Sequence, residues 1–182
     1  GSRGDYYRKQ RLIPLTEYLP AGRLWLFLDR WAKKGRFDFS AGEKTKTFVW
    51  HQPGGGRLVR FAPVICSEEA DEDIFREAVD QNAGFFVTIL NDGWFKEAPA
   101  FVRHAQFAIM QAVSFRRPVV RAANSGWSGV VDSFGRVSPR FQEAQSGLFF
   151  RQEFTPVYDK SFYYLTGGGF GGCTVTLLET AV

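Results

Sequence analysis

Apolar residues along this chain fall into short dense runs separated by polar stretches rich in glycine and proline, the pattern of strands alternating with helices. Leu58–Ile65 (LVRFAPVI) and Phe85–Leu90 (FFVTIL) each predict a strand, and the second, continuous apart from Thr88, predicts one buried on both faces. Residues 47–51 predict a strand that pairs with Leu58–Ile65 as a hairpin through Pro53-Gly54-Gly55-Gly56. Residues 71–82, acidic in their first turn and followed by Ala83-Gly84, predict a helix, and residues 99–115 a second that ends before Pro118. Residues 119–122 predict a strand, residues 128–132 and 136–138 a hairpin about Ser133-Phe134-Gly135, and residues 147–152 a last strand. The order strand, helix, strand, helix, strand places the chain in the α/β class, with hairpins around the core.

The remaining stretches are less regular. Pro14 and Pro20 exclude a continuous helix over residues 5–20, which therefore read as extended or looped. Residues 24–34 (LWLFLDRWAKK) predict a helix that opens after Pro20-Ala21-Gly22 and closes at Gly35. That helix either packs into the core or lies in a membrane interface, with Trp25, Phe27 and Trp31 meeting lipid and Arg30, Lys33 and Lys34 near headgroups. Residues 37–46 are polar and loop-like. Residues 1–4 read as a cloning scar or linker, 5–160 as the domain, and 161–182 as an apolar tail rich in glycine. A bilayer span needs about 20 predominantly apolar residues, and glycines interrupt this tail; it reads as the start of a span or as an extended arm.

Composition narrows the picture. A chain of 182 residues, 45% of them hydrophobic, suits one domain with a sizeable core. Its formal charge of +4, from 23 basic and 19 acidic residues, is mild and spread out, so no nucleic-acid partner is expected. Aromatics at 16%, with 19 Phe, point to an apolar ligand or a greasy surface, or to a large core. No cofactor is expected. Cys66 and Cys173 stand in unlike contexts, which argues against a disulfide framework, and His51 and His104 are too far apart to begin a metal site. No signal peptide is predicted, since the residues after Gly1-Ser2 are polar.

Candidate chemistry centres on Cys66. It ends an apolar strand, carboxylates follow at once, and the N-terminus of the next helix would favour a thiolate there. The alternative is a small buried hydrophobe. His104, in a predicted helix, is the first partner to consider for a Cys–His pair. The other arrangement is a lysine with carboxylates, in which an ammonium stabilises an oxyanion and a carboxylate moves the proton. Lys9, Glu17 and Glu68 supply that set, although Lys9 taken alone reads as a solvated surface residue. The loop Asn91-Asp92-Gly93-Trp94-Phe95 follows a strand at its carboxyl end, where α/β proteins build sites. Asn91, Trp94 and His104 are the candidate substrate-binding residues.

Several segments, taken in order, resemble a known family. Residues 7–20 (YRKQRLIPLTEYLP) resemble the lysine motif of the nitrilase superfamily of carbon-nitrogen hydrolases, and Ile65-Cys66-Ser67-Glu68 resembles its nucleophile motif. Asn91-Asp92-Gly93-Trp94-Phe95, His104-Ala105-Gln106, Arg117-Pro118 and residues 121–126 (RAANSG) continue the pattern. The Asn-Asp-Gly-Trp-Phe loop and the Glu-Tyr-Leu-Pro ending are most similar to the apolipoprotein N-acyltransferase branch. The resemblance implies an α-β-β-α sandwich and a Cys66 nucleophile that takes an acyl chain from phospholipid as a thioester. It further implies Lys9 at the oxyanion, Glu17 and Glu68 in support, and the amine of a diacylglyceryl-cysteine on an apolipoprotein as acceptor. The implied setting is the periplasmic face of the bacterial inner membrane. A soluble amidase acting on a small amide and a non-catalytic binding module are the alternatives. The chain departs from the family at Arg11, Ser67 and Ser114, where His, Tyr and Glu are usual. The family's general-base Glu and its membrane spans would lie upstream of residue 3. The chain is therefore expected to be the C-terminal two-thirds of such a domain and to lack turnover alone.

Overall fold

The computed structural model describes residues 4–14, 16–18, 39–51, 56–91, 98–124, 127–138 and 155–167, with side chains from 104 onward in the helix that starts at 98. The predicted helix at 24–34 with Trp25, Phe27 and Trp31, the strand at 147–152, Trp94 and Cys173 lie outside the described residues, as does most of the Pro53–Gly56 turn.

Five strands form one sheet in chain order: β1 (Phe48–His51), β2 (Leu58–Ile65), β3 (Phe85–Leu90), β4 (Val119–Ala123) and β5 (Gly129–Val131). β2, β3 and β4 run parallel, while β1 and β5 are antiparallel on the two edges. Parallel neighbours need crossovers, and these are α1 (Glu72–Asp80) between β2 and β3 and α2 (Ala98–Phe115) between β3 and β4. Register aligns Ile65 with Ile89 and Leu90 with Ala123. The carboxyl ends of all three parallel strands thus meet at one edge of the sheet, where Cys66, Asn91 and Asn124 follow them.

Period-two alternation decides which side chains the helices cover. Ala62 and Val64 of β2, Phe86 of β3, Val119 of β4 and Val131 of β5 share a core with Ile74, Phe75, Ala78 and Val79 of α1 and Ala108, Ala112 and Phe115 of α2. Phe75 sits at its centre, edge-on to Phe86 at 4.7 Å and stacked on Phe115 at 6.1 Å. Both helices lie on this face. On the opposite face Phe61 stacks between Phe48 and Phe85 at 5.9 and 5.5 Å, but farther along β3 Ile89 is 55% exposed. The expectation that FFVTIL is buried on both faces therefore fails at its end. The described residues form one helical layer and one sheet layer of the α-β-β-α arrangement.

Helix ends follow local chemistry. Asp71 caps α1 by accepting from the Asp73 N–H at 3.0 Å. Both long helices close in the Schellman pattern, with Asn82 and Arg116 at positive φ. The N–H groups of Ala83 and Arg117 return to the carbonyls of Ala78 and Ala112.

Residues 155–167 dock back onto this frame. Val157 N–H donates to Gly84 O at 2.9 Å. Ser161 caps a short helix α3 (Phe162–Leu165), from which Tyr163 donates to Glu72 Oε2 at 2.6 Å and Tyr164 to Asp80. The first residues of the predicted tail are thus packed against α1 and α2 and do not begin a free arm. No described helix is long and apolar enough to cross a membrane.

Candidate active site

Cys66 is a free, half-buried cysteine at the point where β2 turns into a five-residue 3-10 helix, Cys66–Ala70. Its φ is +53°, a left-handed conformation that costs a residue with a Cβ about 1–2 kcal/mol. A strand end in strained backbone projects its side chain sharply, and such outliers cluster at functional sites. The helix that directly follows the strand is this 3-10 turn; α1 starts only at Glu72, where Asp71 caps its first turn.

Lys9 is not a solvated lysine. It is 9% exposed, and its Nζ donates to both oxygens of Glu17 at 2.7 and 2.8 Å. Two of three N–H groups are committed in this way, and the third has no acceptor among the described residues. Glu17 also accepts from the Ile13 N–H at 2.7 Å, so the turn Ile13–Glu17 holds its own carboxylate in place. Residues 39–42 brace the pair from outside. The Phe39 N–H donates to Glu17 O at 3.0 Å and the Gly42 N–H to Lys9 O at 2.8 Å. Only glycine fits at 42, since a Cβ there would stand 2.4 Å from the Arg8 carbonyl oxygen. Gly42→Ala is expected to cost about 1–3 kcal/mol as an overpacking change, read as a lower urea midpoint at unchanged slope.

Glu68 ties Lys9's segment to the cysteine. Fully buried, it accepts from the N–H groups of Gln10 (2.5 Å) and Arg11 (3.3 Å) on Oε1, and from the Tyr7 hydroxyl (3.0 Å) and the Ile65 N–H (2.8 Å) on Oε2. The residues next to Lys9 and the residue before Cys66 therefore share one carboxylate. Burial, together with the Glu68 charge, pushes the Tyr7 hydroxyl well above its ordinary range and keeps it a donor. Ser67, at the position where the resembling branch has Tyr, donates its hydroxyl to Arg11 O at 3.2 Å. Beside it lies an open groove of about 510 Å³, lined by residues 11–14, Ser67 and residues 70–72.

Across the turn from Lys9, Glu69 is also fully buried; its Oε2 takes Arg121 Nε at 3.4 Å and faces His104 Nε2 at 4.0 Å. Burial pushes the Glu69 carboxyl above its ordinary range, and Arg121, His104 and the Thr88 hydroxyl offset this only in part. His104, considered as a partner for Cys66 and as a substrate contact, is itself buried and directed at Glu69. Asn91 lies at the strand-end edge, where its Oδ1 accepts from Asn124 Nδ2 at 2.7 Å. Sequence reasoning selected Lys9, Glu17, Glu68 and Cys66, and the described contacts bring their segments together. It passed over Glu69 and Arg121, although an acid directly behind Glu68 and an arginine inside an apolar strand were the signals available. Among the described residues no group of three His, Cys, Asp or Glu side chains could hold a metal ion.

No family model matches the chain. In backbone it is similar to the NitN amidase of a Nesterenkonia species, with a TM-score of 0.51 over 75% of this chain and 47% of that one, at 16% identity. The chain has a nitrilase-type fold. In sequence, this nitrilase-type chain is similar to the apolipoprotein N-acyltransferase of Geobacter metallireducens, 33% identical over 139 residues, which is 75% of this chain and 25% of the relative. It is also similar to that of Verminephrobacter eiseniae, 32% identical over 145 residues, or 78% and 26% of the two chains. The chain therefore spans about a quarter of the length of these relatives.

Proposed function

We propose that this chain is part of an N-acyltransferase of the nitrilase superfamily, with Cys66 as the nucleophile. The observation that carries the reading is the shared Glu68 carboxylate, which holds the backbone beside Lys9 and the backbone before Cys66 in one arrangement. Similarity to apolipoprotein N-acyltransferases supports the choice of substrates.

In this reading the Cys66 thiolate attacks the ester carbonyl of a phospholipid. The carbonyl becomes a tetrahedral oxyanion next to the uncommitted N–H of Lys9, whose charge Glu17 balances. Collapse expels the lysophospholipid alkoxide, which takes the proton that the general-base Glu expected upstream of this chain removed from the Cys66 thiol, and leaves a thioester on Cys66. The α-amine of a diacylglyceryl-cysteine on an apolipoprotein then attacks the thioester, loses a proton to the general base, forms the amide and releases the thiolate. A thiol suits both halves, being a strong nucleophile and a good leaving group. The whole enzyme acts at the periplasmic face of the inner membrane, where both substrates are found, with Asn91 at the substrate-facing rim.

The test is mass spectrometry of the intact parent protein after incubation with phospholipid vesicles. The expected result is an acyl adduct on Cys66 that Cys66→Ala abolishes and Cys173→Ala leaves in place. No adduct on a folded parent protein sinks the proposal in favour of a binding module. Ammonia release from small amides without an adduct sinks it in favour of an amidase.

A further inference from the structure

We propose that Glu69 is a positioning residue for the nucleophile: it locks the turn that carries Cys66 to β4 through Arg121, and so fixes where the thiol stands relative to the rim at the strand ends. The inference rests on the reading of Cys66 as the nucleophile.

The geometry places Glu69 at a junction. Its backbone belongs to the 3-10 turn that Cys66 opens, and its carbonyl accepts from Gln111 Nε2 of α2 at 3.4 Å. Its carboxylate binds Arg121 Nε in the middle of β4, two residues before that strand ends. Arg121 in turn donates from Nη1 to Trp127 O at 2.6 Å and lies over the Trp127 ring at 5.2 Å. One chain of contacts therefore runs from the cysteine turn, through a fully buried ion pair, along β4, whose end carries Asn124 to Asn91, and on to Trp127. Glu68 holds the same turn from the Lys9 side, so adjacent carboxylates pin Cys66 from opposite directions.

Packing alone does not explain the choice of residue. An apolar side chain would fill this position at less cost than a buried carboxylate, which is weak evidence of stability even when paired. Glu69 Oε1 is buried with no partner of ordinary hydrogen-bond geometry among the described residues, and the buried Thr88 hydroxyl nearby does no more than help to hold the carboxyl's pKa down. Buried groups left in that state call for an explanation other than stability. The carboxylate's direction toward Arg121 supplies one, since a hydrogen-bonded ion pair sets a position that apolar contact leaves free to slide.

The experiment separates position from stability. Glu69→Leu combined with Arg121→Met removes both charges and keeps the volume, so the folded state is expected to retain a near-native urea midpoint. Iodoacetamide alkylation of Cys66, followed on the intact chain by peptide mass mapping to distinguish it from Cys173, reads the turn directly. The expected result is alkylation roughly tenfold faster in the double variant, with Glu69→Gln, which still accepts from Arg121, close to the native rate. If the double variant does not fold, Arg121→Lys is read in the same way, because it keeps the cation but loses the planar fork that also reaches Trp127. A folded variant whose Cys66 is alkylated at or below the native rate overturns the proposal. Alkylation needs no acyl donor, so a missing phospholipid adduct would count against the proposed function and leave this comparison intact.

Discussion

Glu68→Ala is expected to lower the unfolding free energy by about 3–5 kcal/mol, since each donor left without its acceptor costs about 1–3 kcal/mol according to its burial, measured by urea denaturation of the whole chain. The size follows from what is left behind. Three backbone N–H groups, of Gln10, Arg11 and Ile65, and the Tyr7 hydroxyl lose at once an acceptor that is itself fully buried. Glu68→Gln keeps one oxygen and should cost about 1–2 kcal/mol, near the net worth of an ordinary hydrogen bond plus a partial mismatch. The loss should also be visible locally. Residues 7–11 have few other ties to the turn, so hydrogen exchange there should rise in Glu68→Ala well before the sheet opens. A variant with the native midpoint and native exchange at Gln10 and Arg11 would refute the tether between the segment of Lys9 and the turn of Cys66.

Arg117→Met is expected to cost about 3–4 kcal/mol through unsatisfied carbonyls, and to release residues 155–167. The guanidinium is buried, and burial holds its pKa below the ordinary arginine value. Among the described residues no carboxylate accepts a hydrogen bond from it; it donates to four backbone carbonyls instead: Ala83 at 2.6 Å, Phe115 at 2.8 Å, Tyr158 at 3.0 Å and Asp159 at 3.1 Å. Two of these belong to the frame at the ends of α1 and α2, and two to the returning segment. Limited proteolysis reads the release as new cleavage between 155 and 167 with the sheet intact. Arg117→Lys should not rescue it, since one ammonium cannot reach both sides of the junction. Unchanged resistance to cleavage in a folded Arg117→Met protein would show that Ser161 and the Tyr163–Glu72 bond hold the segment unaided.

Strands and helices were legible because their signals are local. FFVTIL and LVRFAPVI form strands, and Asp71 and Pro118 bound the helices as their chemistry dictates. What could not be read was which face of the sheet the helices take. That depends on both crossovers landing on the same side, so the exposure of Ile89 is invisible in a window of six residues. The site divided in the same way. Cys66 and Glu68 stand close in sequence, whereas the burial of Lys9 depends on Glu17 and on the approach of Gly42 from more than thirty residues away. Glu69 was passed over because its partner Arg121 lies 52 positions on, and no spacing rule connects a 3-10 turn to the middle of a later strand.

The backbone at Cys66 has one more consequence. Asn82 and Arg116, the other described residues with side chains at positive φ, both close helices, where that conformation is ordinary and hydrogen-bonded. Cys66 is at a strand end, where glycine would relieve the conformation and remove the thiol in the same step. Selection for heat tolerance and selection for reactivity therefore pull this codon in opposite directions. A lineage that no longer used the thiol would be free to drift toward glycine or asparagine there.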